Sequence, residues 1–298
     1  MDMWIYITIG AALVQTVRFS LQKGLKGAGL SSGGATFSRF LFASPLAAGL
    51  VAVLIATSGE PLPGMGATFF GFAMFGGLAQ IIATMATVAL FGERNFAVGI
   101  AFTKTETVQV ALFSLLFLGE PVTLGALGAI LIGIVGVILI SRPPGGGAGV
   151  KLFNRATTLG LIAGGCFGVS AIGYRGASLA LDSGGVVLRA GLTLAVVTGF
   201  QTLVMVAWLT LREPGEITRV LARWRVTGLV GLTGMLGSLG WFTAFTLQNA
   251  AYVRALGQVE LVFSFLGSWL IFREHSTSRE VLGVGVLIAS ILLLILAI

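Results

Sequence analysis

Charge is scarce in this chain, and so is most of what a soluble active site needs. Only 10% of the 298 residues are charged, against roughly 25% in an ordinary soluble domain. There is one cysteine, Cys166, and one histidine, His275. A lone thiol excludes an internal disulfide, and no Cys/His spacing suits a metal. Neither an HExxH run nor a Walker A sequence occurs, so zinc-dependent hydrolysis and direct use of ATP drop out as readings. No Ser–His arrangement stands at membrane depth, which leaves covalent hydrolysis without an activated nucleophile. An enzyme is therefore not expected, nor is any cofactor or metal.

Apolar residues are what is abundant. They make up 56% of the chain, and the mean hydropathy is +1.01. The apolar runs reach about 20 residues, enough to cross a hydrocarbon core of ~30 Å as helices. Period-two alternation is missing, so helices rather than a barrel must satisfy the backbone in lipid. Breaks at GEPLPGMG, GEP, RPPGGGAG, LDSGG and REPGE carry turn chemistry and divide the chain into ten expected spans. These are 3–22, 32–57, 66–91, 95–118 and 121–140, then 156–179, 184–211, 226–247, 249–272 and 277–297. The start, MDMWIYITIGAALV, has no basic n-region or clear cleavage site and reads as an uncleaved first span.

The chain is also written twice. Asn95, Glu106, Glu120 and Thr123 recur 154 positions later as Asn249, Glu260, Glu274 and Thr277. Nearer the start of each half the spacing is 150, with TIG at 8–10 matching TLG at 158–160 and Arg39 matching Arg189. The halves are 1–141 and 156–298, joined by a linker at 142–155 that holds the Pro-Pro-Gly-Gly-Gly run. A duplicated membrane segment marks many secondary transporters, with the substrate site between the repeats.

Loop charges set the expected orientation. Twelve basic residues, among them Lys23, Lys26, Arg94, Arg142, Lys151, Arg212, Arg223 and Arg273, fall on one side of the ten-span layout and none on the other. The basic side should be cytoplasmic and both termini outside, in a bacterial-type inner (plasma) membrane. The net charge of +7 then belongs to those loops rather than to a nucleic-acid partner. Five spans per half, an odd number, invert the second half relative to the first. The fold class expected is an all-α integral membrane protein, with ten transmembrane helices in two inverted five-helix repeats around a central cavity.

Eight charges lie inside spans: Arg18, Arg39, Lys104, Glu106, Arg175, Arg189, Arg254 and Glu260. Such residues default to functional candidates. Arg18, Arg175 and Arg254 stand near span ends, where snorkelling would serve them. Glu106 and Glu260 stand near the midplane at matching repeat positions. They fit three roles: buried ion pairs (Glu106 with Arg39 or Lys104, Glu260 with Arg189 or Arg254), a coupling-proton site or gate, or a substrate contact. Glu106, Glu260, Arg39 and Arg189 are thus the coupling or gating candidates. Candidates for the substrate cavity are Gln15, Gln80, Thr84, Phe102, Lys104, Trp241, Phe242, Tyr252 and Gln258. A glycine series, Gly228, Gly231, Gly234, Gly237 and Gly240, steps by three and so spreads around the eighth span rather than forming one stripe. Glu120-Pro121 and Glu274-His275 read as corner caps.

The GEP-x-T corner after the fourth span, with its second copy at 274–277, resembles the drug/metabolite transporter superfamily, EamA type. The resemblance covers nearly the whole chain, and within the family the chain looks most like the YddG-type exporters of aromatic and other amino acids. It implies a central cavity with spans 5 and 10 peripheral, and an exporter of amino acids, aromatic ones above all, and related small metabolites working by alternating access. A multidrug or sugar-phosphate carrier of the same superfamily is the alternative. Partners would be the small-molecule substrate and membrane lipid, with the chain a monomer and no nucleic acid involved.

Overall fold

The computed structural model describes residues 3–92, 103–141, 155–271 and 277–298. In chain order the helices are α1 (Met3–Gly27), α2 (Ser32–Ser58), α3 (Ala67–Leu90), α4 (Glu106–Leu118), α5 (Leu124–Ser141), α6 (Arg155–Leu179), α7 (Val186–Arg212), α8 (Glu216–Ala222), α9 (Trp224–Leu247), α10 (Ala250–Gly257), α11 (Val259–Ile271) and α12 (Ser278–Leu296). Seven of them, α1, α2, α3, α6, α7, α9 and α12, are long and apolar enough to cross a membrane, while α4 and α5 are shorter apolar helices. Residues 142–154 of the linker and the corner at Glu274 and His275 lie outside the described residues.

Helix ends follow the local sequence. Ser31 caps α2 by accepting the Gly34 amide at 2.8 Å, and Gly59 closes it with φ of +68°. Glycine has no Cβ to oppose that left-handed turn. The two matched threonines both cap helices: Thr123 accepts the Ala126 amide at 3.1 Å, and Thr277 forms a reciprocal capping box with Glu280. An unanticipated element is α8, a short helix that follows the REPGE break.

The ninth span differs from the single helix expected over 249–272. It breaks at Gln258 into α10 and α11, where tight i→i+3 bonds run from the Gln258 amide to Ala255 and from the Leu261 amide to Gln258. A turn at Lys104 and Thr105 precedes α4 at the equivalent place, since Lys104 and Gln258 are also 154 apart. Glu106 and Glu260 therefore each stand in the first turn of a helix that starts partway through its span.

Helices pair mainly across the halves: α1 with α9, α2 with α7, α3 with α6, and α5 with α12. Exchanging the halves maps each pairing onto another or onto itself. Each pairing also runs antiparallel. In α1 and α9, Gly240 sits on Ala11 while Gly234 sits beside Arg18. In α3 and α6, Gly76 meets Gly173 and Phe72 meets Gly176. In α5 and α12, Gly125 lies by Ala297 and Gly136 by Gly283 and Leu287. Small residues let these backbones approach closely, as helices in lipid require. The glycine series of α9 divides its work: Gly231 faces Phe42, Gly234 faces Arg39, Gly240 faces Ala11, and Gly228 faces open space.

Candidate functional site

Four charges, Glu106 and Glu260 buried and Lys104 and Arg254 partly so, meet where the starts of α4 and α11 face each other. The ammonium of Lys104 pairs with Glu260, and Arg254 Nε lies 2.8 Å from Glu106 Oε1. Both pairs cross between the halves, unlike the within-half and other partnerships considered for these carboxylates. Snorkelling gives way to pairing for the outlying arginines as well. Arg254 turns inward. Arg175 grips Glu120 with two nitrogens at 2.6 and 2.7 Å and donates to the carbonyls of Phe245 and Gln248. Arg18 is buried, donating to Gln22 and lying 4.4 Å over the Phe19 ring. In each case the guanidinium gains a partner inside the fold that it would lack in lipid. Glu120 is accordingly an ion-pair anchor rather than a corner cap.

The two carboxylates are held differently. Glu260 accepts from the Gln15 amide at 2.6 Å, and Gln15 in turn accepts from the Trp241 indole at 3.0 Å. That chain fixes the glutamine orientation. Glu106 and Arg254 touch as ions but their contact is not a directed hydrogen bond: Glu106 Oε1 and Arg254 Nε both remain without a hydrogen-bond partner among the described residues. Rings hold the guanidinium instead, with Trp241, Phe245 and Phe167 at 4.8, 5.3 and 5.8 Å. An aromatic face attracts a cation without using its N–H groups.

A cavity of about 310 Å³ opens beside these groups. Its wall includes Gln15, Lys104, Glu106, Trp241, Gln258 and Glu260 from the candidates above, together with Arg254. From there it extends past Thr16, Phe19 and Ser20 to the exposed Lys23, near the end of α1, and to Phe91 after α3. Lys23 belongs to the basic-loop side. Among the described residues its wall thus runs from mid-bundle to that one face.

Other candidates stand elsewhere. Arg39 donates to Thr84 at 3.2 Å and to Ser238 at 3.0 Å, tying α2 to α3 and α9, and neither it nor Thr84 is in the cavity wall. Gln80 accepts from Gln201 at 3.0 Å in a second buried polar cluster with Tyr174. Phe242 stacks on Tyr174 at 4.1 Å within the core. The Tyr252 hydroxyl accepts the Thr123 amide at 3.1 Å and so braces the corner before α5. Arg189 donates to the Ser178 carbonyl at 3.0 Å, near the face opposite Lys23. Phe102 lies outside the described residues. Sequence reasoning passed over Thr16, Phe19 and Ser20, although their spacing with Lys23 is that of one helix face. For Phe167 no sequence signal marked it out from other phenylalanines.

Residues 155–296 match the EamA-like transporter family. No curated protein matches the chain. A solved crystal structure of a protein shares the fold, with a TM-score of 0.71 over 99% of this chain and 96% of that one, at 11% identity. The transporter-family match and the apolar helices make this a multi-pass membrane protein.

Proposed function

We propose that the chain is a secondary transporter that exports amino acids, aromatic ones among them, and related small metabolites by alternating access. The observation that carries this reading is that α4 and α11 start at equivalent points partway through their expected spans, each placing a glutamate on a cavity open to one face. Broken helices at the interface of inverted repeats are how many transporters expose polar backbone and charge at mid-membrane. Antiparallel packing of equivalent helices supports the inverted-repeat arrangement, and the basic loops support a cytoplasmic opening with both termini outside. At the mid-bundle end of the wall, Lys104 and Arg254 balance Glu106 and Glu260, with Lys23 a third cation at the open end; the balanced inner end suits a solute of zero net charge with polar ends. A sugar-phosphate carrier would need several cations without nearby acids, so that alternative is the weaker one.

The test is counterflow in proteoliposomes across the common amino acids, with sugar phosphates and cationic dyes as comparison solutes. Accelerated exchange of at least one amino acid, saturable and independent of ATP, is the expected result. Exchange of only dyes or only phosphates would replace this reading by one of its rivals.

A further inference from the structure

We infer that Glu106 and Arg254 form the subsite that reads the two charged groups of an α-amino acid, the ammonium on Glu106 and the carboxylate on Arg254, while Lys104 and Glu260 are structural. This rests on the amino-acid reading above and assigns its chemistry to particular side chains.

The argument is the contrast between the two ion pairs. Glu260 is engaged twice, by Gln15 and by Lys104. Freeing it for a ligand would dismantle a chain that runs on to Trp241. The other pair is close but under-used. Guanidinium offers five N–H donors in a planar fork that matches a carboxylate. Among the described residues, none of those of Arg254 makes a directed hydrogen bond. The carboxylate of Glu106 likewise accepts none, though only 8% of the residue is exposed. Leaving such groups buried and unmatched is costly. Both groups line the cavity.

A zwitterion resolves the mismatch without changing the charge of the site. Its carboxylate takes the Arg254 fork, its ammonium takes Glu106, and each new contact is a charge-assisted hydrogen bond in place of an undirected ionic one. The spacing narrows the class. Arg254 Nε and Glu106 Oε1 are 2.8 Å apart, so the ligand must present opposite charges on neighbouring atoms of one skeleton. An α-amino acid does so; β- and ω-amino acids hold their charges further apart. The rings around Arg254 keep its guanidinium in place, and Phe19, Phe91 and Leu261 leave apolar wall for a side chain.

The experiment measures thermal-shift affinity and counterflow for the strongest-binding amino acid of the common set. Its decarboxylated amine, its deaminated acid and its β-amino isomer are measured alongside. In the unaltered protein each analogue should bind on the order of tenfold or more weakly, the cost of one unmatched buried charge. Glu106→Gln should erase the penalty against the deaminated acid and keep the penalty against the amine. Arg254→Gln should do the reverse. Glu106→Gln with Arg254→Gln leaves no unpaired buried charge, so it keeps a folded protein in hand if either single variant unfolds, and it should lose both discriminations. Unchanged or parallel shifts in the variants, with amino acids still bound, would overturn the subsite and leave the transporter reading intact. If no amino acid binds or exchanges, both fall together.

Discussion

Lys104 and Glu260 bring opposite charges into a region with little water, and their side chains are only 14% and 11% exposed. Two desolvated ions gain little over a well-packed apolar pair, but removing one partner strands the other. Lys104→Met should therefore destabilise the protein by roughly 3 kcal/mol, and adding Glu260→Gln should recover most of that loss. Denaturant unfolding of the single and double variants in detergent measures it as a double-mutant cycle. Additive losses would mean that the two groups do not depend on each other. Both glutamates stood out in the sequence, because carboxylates at mid-span are rare and these recur at the repeat distance. Their partners were not. Arg254 has no counterpart among the cations of the first half, since the residue 154 positions earlier is Ile100. Duplication therefore could not point to a pairing that only the folded seam creates.

Among helices, contact geometry separates glycines that composition treats alike. A Cβ on Gly173 would lie 2.8 Å from the Gly76 Cα and the Phe72 carbonyl, both backbone. One on Gly228 meets nothing within 4 Å. Gly173→Ala should force α3 and α6 apart and cost about 1–3 kcal/mol, whereas Gly228→Ala should be neutral or stabilising by up to about 1 kcal/mol through helix propensity. Thermal unfolding of the two variants compares them directly, and equal effects would contradict the packing described. The spans themselves were largely readable, because apolar length and turn residues fix where a chain can cross. Nothing in the apolar pattern of 249–272 announces the break at Gln258. That residue is polar but not helix-breaking, and its neighbour Gly257 packs against the Trp241 ring of α9, a contact that no local pattern announces. Arg39 and Thr84 show the same limit. Arg39 was a gating candidate as a charge inside a span and Thr84 a cavity candidate, but their hydrogen bonds close on each other and on Ser238.

For the molecule as a whole, reciprocal clasps tie the halves together at the two faces. On the face opposite Lys23, Glu60 after α2 accepts the Gly185 amide before α7 at 3.3 Å, and Asp182 accepts the Gly64 amide at 2.8 Å. On the Lys23 face, Glu213 after α7 meets the Ser31 hydroxyl before α2, and Glu216 accepts the Ser31 amide at 2.7 Å. In each clasp a carboxylate beyond the end of one helix reaches the start of its equivalent, a placement that the positive N-terminal end of a helix favours. If the halves rock, weakening the first clasp should shift the population toward opening on that face and closing on the other. Asp182→Asn with Glu60→Gln, in a Cys166→Ala background, is the variant to use. Ser178→Cys, buried beside Thr246 near the first clasp, should become more reactive to a membrane-impermeant thiol reagent, while the exposed Ser20→Cys of the cavity becomes less so. Acid should act in the same direction. The Gly64 amide, and then the Ser183 hydroxyl, hold the Asp182 carboxyl below its ordinary value of 3.8. A carboxylate depressed in the folded state contributes fully above its unfolded value and loses that contribution as pH falls through the folded one. Labelling itself falls with the thiolate fraction as pH falls, so the readout is the ratio of the unaltered clasp to the Asp182→Asn protein, which lacks the acid step: the ratio should stay flat from neutral pH down to about pH 4 and change only below it. Opposite changes at the two cysteines mark an exchange of access between faces; a rise at both would mean that the clasp merely holds the fold together.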